Sequence, residues 1–219
     1  MKNSTKIICI CTFITLLFFA SIKNQAQEVE TDFQTRTSLN LSYKPIKKLQ
    51  LKFTHELRFD ENFSLDKYVF EGGAEYKILK FLELGATYRF GINPRENKDT
   101  EYANRYSFSA TAKKEFNRFE PAFRLSYTND ADDEVSNEEF LRYKASLDYN
   151  IRKSKITPFI GIEAFQRLSD ADLYKIRYSA GADYKLFKKN YLGVSYKLDY
   201  YQKEYKNRHI FSVGYKIKF

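Results

Sequence analysis

The sequence predicts an all-β fold: an antiparallel transmembrane β-barrel of about 10–12 strands, with short periplasmic turns and longer external loops. Three observations carry this. From Asp32 onward apolar and polar residues alternate with a period of two, not 3.6. The alternating runs are about 11–14 residues long, against about 5–6 for ordinary soluble strands. The chain ends on Phe211, Val213, Tyr215, Ile217 and Phe219, an alternating strand with a terminal aromatic residue. Twelve residues rising about 3.3 Å each and tilted by roughly 40° cover about 30 Å, the thickness of a bilayer core.

Eleven runs can be followed in order. In 33–43 the odd positions Phe33, Leu39, Leu41 and Tyr43 are apolar or aromatic, and the even ones are Gln34, Arg36, Ser38, Asn40 and Ser42. Leu49, Leu51, Phe53, Leu57 and Phe59 then alternate with Gln50, Lys52, Thr54, Glu56 and Arg58. Tyr68, Phe70, Ala74 and Tyr76 alternate with Val69, Glu71, Gly73 and Glu75, and Leu82 to Phe90 repeat the pattern around Glu83, Thr87 and Arg89. Further runs occupy 102–116, 119–129, 138–151, 155–166, 173–186, 190–202 and 206–219. No segment has a convincing amphipathic helical pattern. One face of each strand is apolar and the other polar, which suits a closed barrel with its apolar face in lipid, because an open edge in hydrocarbon leaves backbone groups unsatisfied. A periplasmic lipocalin-like barrel or sandwich would point the apolar face inward; strand length, aromatic placement and Phe219 favour the membrane.

Short connections fall near 44–48, 77–80, 117–118, 150–155 and 185–190, and longer ones near 60–67, 93–101, 129–139, 167–173 and 202–207. Tyr43, Tyr76, Tyr149, Tyr184 and Tyr215 each end a strand beside a short connection, with Phe116 filling the gap, as an interfacial girdle would require. A periplasmic Phe219 with eleven strands puts the mature N-terminus outside, whereas bacterial single-chain barrels normally have an even number. Either one run is two elements, or one is not in the barrel, or the first and last strands pair in parallel.

The N-terminus reads as a secretory signal peptide: Lys2 and Lys6, a 14-residue apolar run from Ile7 to Ala20, then small or polar residues to Ala26. Residues 1–26 are therefore expected to be removed, leaving 27–219 as one barrel domain in the bacterial outer membrane. Cys9 and Cys11 leave with the signal, so the mature chain has no thiol or disulfide. The mean hydropathy of −0.58 and the net charge of +9 fit a polar lumen rather than a nucleic-acid surface, since aromatics and charges lie on opposite strand faces. The charge is also polarised. The short-turn segments together hold +15, while the mature start and long loops hold −11.

The expected site is the lumen. Arg58, Arg89, Arg105, Arg124, Arg142 and Arg177 occupy inward phases, most in the outer half, with Glu56, Glu71, Glu75 and Glu163 among the inward carboxylates; Glu83, Glu120 and Asp183 share that face. Two readings follow: a narrow pore or passive transport barrel with an Arg-rich lumen, or a structural or interaction barrel whose lumen is filled by salt bridges. A lipid-acting enzyme is the distant third. His55 and His209 fall on outward phases while the strand serines fall inward, so no Ser–His pair is expected and the chain is read as a non-enzyme. The acidic stretch Asn129 to Glu134 lacks the glycine and twelfth-position Glu of an EF-hand loop. No metal or cofactor is expected. The partners expected are outer-membrane lipid and, through Phe219, the barrel assembly machinery; the barrel is read as a monomer that binds no nucleic acid.

The segments Glu56-Leu57-Arg58-Phe59, Tyr88-Arg89-Phe90, Asn104-Arg105-Tyr106 and Leu141-Arg142-Tyr143 resemble strand motifs of a family of small Gram-negative outer-membrane β-barrels that carries a domain-of-unknown-function label. The resemblance covers nearly the whole mature chain. It implies a transmembrane barrel and no assigned activity or catalytic residues.

Overall fold

The computed structural model describes residues 30–95, 99–131, 138–202 and 206–219. The segment read as a signal, part of the acidic 129–139 loop and parts of two other long loops lie outside the described residues. The strands are β1 (Glu30–Ile46), β2 (Leu49–Phe59), β3 (Leu65–Lys77), β4 (Leu82–Asn93), β5 (Glu101–Lys113), β6 (Phe119–Thr128), β7 (Phe140–Tyr149), β8 (Ile156–Arg167), β9 (Leu173–Phe187), β10 (Asn190–Tyr201) and β11 (Lys206–Lys218). They form one closed barrel in sequence order.

The closure settles the strand number. Ten neighbouring pairs are antiparallel, and β1 and β11 pair in parallel from Glu30↔Lys206 to Ser42↔Lys218. An odd number of up-and-down strands brings the last strand back in the direction of the first, so one parallel pair is needed to remove both edges. The seam is tied on both faces. Arg208 bonds Asp32 at 2.6 Å inside, and His209 stacks on Phe33 outside at 4.9 Å. At its end the Phe219 N–H donates to the Ser42 carbonyl at 2.8 Å. Residues 30–219 contain no cysteine, so a paired substitution is a clean reporter of this register. Thr37→Cys with Val213→Cys, direct partners across the seam, should cross-link on mild oxidation and shift the band on a gel. Failure to do so, in a barrel where the antiparallel pair Thr37→Cys and Leu57→Cys does cross-link, would contradict the parallel closure.

The turns are as tight as the run spacing suggested. Lys47-Lys48 join β1 to β2, where Ile46 pairs with Leu49. Asn117-Arg118 join the bridge Phe116↔Phe119, with Asn117 at φ 57°, a conformation asparagine adopts more readily than most residues. All five short turns lie at one end, with the C-terminus, and the long connections and Glu30 at the other.

Register keeps one parity facing inward around the barrel, as in Thr54↔Glu71, Glu71↔Arg89 and Arg89↔Arg105. The opposite parity carries Phe108, Ile160 and Phe211, mid-strand residues that are 57%, 60% and 47% exposed. Mid-strand apolar side chains this exposed make the outer wall of the barrel apolar. Inside, small residues let the walls come close: a Cβ on Gly193 would sit 2.6 Å from the Asp183 carboxylate, which takes Lys216.

Candidate functional site

The inward face carries two tiers of charge. The lower tier, beside the short turns, is made of cross-strand pairs. Lys52 meets Glu75 at 2.6 Å, Lys113 meets Glu83 at 2.9 Å, and Lys216 meets Asp183 at 2.7 Å. These pairs are partly open to water and add little to stability each.

The upper tier is different, because water is excluded from much of it. Arg36 and Arg58 share Glu56, at 3.7 and 2.8 Å. Arg89 bonds Glu71 at 2.7 Å, with Arg105 at 4.0 Å from the same carboxylate. Arg142 bonds Glu163 at 2.7 Å. Arg177 grips Asp199 with both arms of its guanidinium, at 2.5 and 2.6 Å, and the Lys175 ammonium reaches the same carboxylate at 3.1 Å. Lys175 and Asp199 are fully buried. The Lys175 ammonium also lies 4.9 Å from the Phe165 and Tyr201 ring centres and 5.7 Å from Tyr174, so aromatic faces replace its hydration. Phe165 is the hub of this packing. The Arg142 and Arg177 guanidiniums sit over its ring as well, at 4.7 and 5.3 Å.

Apolar side chains complete the tier from inside the lumen. Val69, Phe140, Phe165 and Ile210 all have inward parity and almost no exposed surface, and Thr128 and Asp130 are buried beside them. Ala131, just past β6, packs on Phe140 and Phe165. Every strand supplies at least one buried inward residue toward its long-loop end, Gly91 being that of β4 and Arg105 that of β5. Together they make a band of buried inward residues in the upper half of the lumen. Beneath it lies a cavity of about 380 Å³ lined by polar and charged side chains.

The sequence-predicted residues divide accordingly. Arg58, Arg89, Arg105, Arg142, Arg177, Glu56 and Glu163 line this cavity. Glu71 bonds Arg89 from the wall. Arg124 stands apart at mid-strand, its Nε donating to Thr111 at 3.0 Å, and Glu75 belongs to the lower tier. Sequence reasoning missed Arg36, Lys67, Lys144, Lys175, Lys197 and Asp199, all on inward parity. Their signal was the same alternation. Lysine also carries the positive charge of the short turns, which masks its inward strand positions. The inward Phe140, Phe165 and Ile210 carried no signal, since an apolar residue in a barrel strand reads as outward.

The histidines lie on the other face. His55 stacks on Phe70 at 4.7 Å, and His209, already stacked on Phe33, is hydrogen-bonded through Nδ1 to the Tyr196 hydroxyl. Ser38, Ser179, Ser195 and Ser212 face the cavity instead, so no Ser–His pair forms among the described residues. At the long-loop rim Arg167 bonds Glu138 and Asp170 at 3.1 and 3.4 Å. The backbone N–H of Asp172, helped by Arg167, holds the Asp170 carboxyl below its usual range. Of the acidic stretch 129–134, residues 132–134 lie outside the described residues.

Fold and lumen together define a class: a closed eleven-stranded β-barrel, apolar outside, with an ion-paired lumen. The chain belongs to the family described as Protein of unknown function (DUF2490), whose model matches residues 33–210, from β1 into β11. No curated protein matches the chain.

Proposed function

We propose that this is a bacterial outer-membrane barrel, exported by residues 1–26, whose lumen is held shut by its own ion pairs and aromatic packing. The observation that carries this reading is the band of buried inward residues, side chains from ten strands and Gly91 from β4, within an exposed apolar outer wall. A standing pore needs a continuous file of water, and side chains without accessible surface leave none there. Of the two roles the sequence suggests, the geometry therefore favours a salt-bridge-filled structural or interaction barrel. The pore reading keeps one support, the cationic cavity under the ring, which would favour anions if the ring opened.

In this reading the lysine-rich short turns face the periplasm and the anionic inner-leaflet phosphates, and the acidic long loops face outward. Closed edges favour a monomer in lipid. Phe219, exposed at the short-turn end of β11, is the feature an assembly machinery in the periplasm would read. No catalytic role is assigned to either histidine.

Orientation and location are tested together by single cysteines at Ser169, in the loop between β8 and β9, and at Lys153, in the turn between β7 and β8. Both positions are exposed. A membrane-impermeant maleimide applied to intact cells should label the first and reach the second only after the envelope is permeabilised. The opposite pattern, or equal labelling of both, would contradict the assignment.

A further inference from the structure

The cavity under the ring is strongly unbalanced in charge. Nine basic side chains line it against three acidic ones, Glu56, Glu163 and Asp183. Adding Glu71 and Asp199, which bond Arg89 and Arg177 from the wall, still leaves four more basic than acidic side chains. Two of the basic groups differ from the rest. The ammoniums of Lys144 and Lys197 make no hydrogen bond or ion pair with any described residue, and both line the cavity. The charged neighbours of Lys197 include Arg36, Arg177, Lys144 and the Glu56 carboxylate; those of Lys144 include Arg124, Arg142, Arg177 and Glu163. Around them stand hydroxyls and an amide: Ser38, Asn40, Thr54, Ser179, Ser195 and Ser212.

A cationic surplus of this size inside a wall that faces hydrocarbon is costly without a counter-charge. The protein's own carboxylates do not supply it. An oxyanion does, because its oxygens accept from ammonium and guanidinium groups while neighbouring hydroxyls complete its hydrogen bonds. The volume, about 380 Å³, exceeds what inorganic phosphate fills. The cavity also extends past Ser179 and Ser195 to Asp183 and Lys216, in the short-turn halves of β9 and β11. Its shut end is the long-loop end.

We infer that the lumen is a binding cup for a small soluble anion with a hydroxylated body, of the sugar-phosphate class, entered from the short-turn side, with Lys144 and Lys197 as the groups that take the phosphate. The surplus of charge gives the affinity, and the serine-rich wall gives room and hydrogen bonds for a sugar. The inference rests on the proposed reading only for the apolar surround and the shut upper ring.

The test is calorimetric titration of the full barrel, folded in detergent at low salt, with inorganic phosphate, a hexose phosphate, the neutral hexose and chloride. Saturable one-to-one binding is expected for phosphate and tighter binding for the hexose phosphate, with none for the hexose. Lys144→Gln with Lys197→Gln should weaken phosphate binding by roughly tenfold or more. Lys188→Gln with Lys189→Gln, in the short turn between β9 and β10, should leave it unchanged. Equal weakening by both pairs, or phosphate binding no tighter than chloride, would overturn the site. If the lumen pair fails to fold, ³¹P line broadening of phosphate by the native barrel, reversed by sulfate, takes its place; absence of broadening overturns the site equally. A barrel that resists heat unfolding in detergent yet binds no phosphate counts against the cup alone and leaves the membrane reading intact.

Discussion

Asp199→Asn is expected to destabilise the barrel by about 3–5 kcal/mol, the usual cost of removing one partner from a buried ion pair. Asp199 is the shared anion of Arg177 and Lys175, and both it and Lys175 have no exposed surface. Removing the carboxylate leaves an ammonium enclosed by Phe165, Tyr174 and Tyr201. It also takes from the Arg177 guanidinium the carboxylate that it grips with both arms. The cost comes from two cations that lose a shared carboxylate out of reach of water rather than from the net worth of the pair. Lys175→Met in the Asp199→Asn background should therefore recover part of the loss, with a coupling of about 0.5–3 kcal/mol, because a thioether suits the aromatic box. The chain has no tryptophan, so urea unfolding in vesicles is followed by far-ultraviolet circular dichroism and by the heat-dependent band shift. A loss below about 1 kcal/mol, within reach of an exposed pair, would mean that water reaches Asp199 and that the ring is not shut.

Phe140→Ala with Phe165→Ala is expected to open the lumen. Both rings are buried at inward positions of neighbouring strands, and Ala131 packs on both. Truncating them removes the apolar centre of the ring and uncovers Arg142, Arg177 and Lys175, which lie against Phe165. Each truncation should also cost about 3–5 kcal/mol of packing, so the folded fraction is established first by the band shift. The folded double variant should carry a steady current with preference for anions, because the exposed lining is cationic. A cation-selective current would contradict the charge assignment of the cavity.

The residues divide cleanly into those whose role a local pattern encodes and those whose role it does not. Alternation gave the strand runs, and with them the inward parity of Arg58, Arg89, Arg105, Arg142 and Arg177, because parity is local to a strand. The parallel partner of β1 was legible only as one of three ways to account for eleven runs. It depends on pairing between residues 30–42 and 206–218, separated by the whole chain, and each strand reads the same in either direction. The plug was hidden for another reason. Phe140 precedes Leu141 and Ile210 precedes Phe211, so an apolar residue stands on both faces there and period two cannot say which one points inward. The cluster around Asp199 is less legible because lysine and aspartate also fill the turns and loops, although Lys175 and Asp199 share the inward parity that places Arg177.

The most direct test of the shut lumen is a planar-bilayer recording of the unaltered mature barrel. The ring of buried side chains predicts a silent baseline, at most rare brief openings, under conditions where the Phe140→Ala and Phe165→Ala variant conducts. A steady ohmic current from the unaltered barrel, equal to that of the variant, would contradict it.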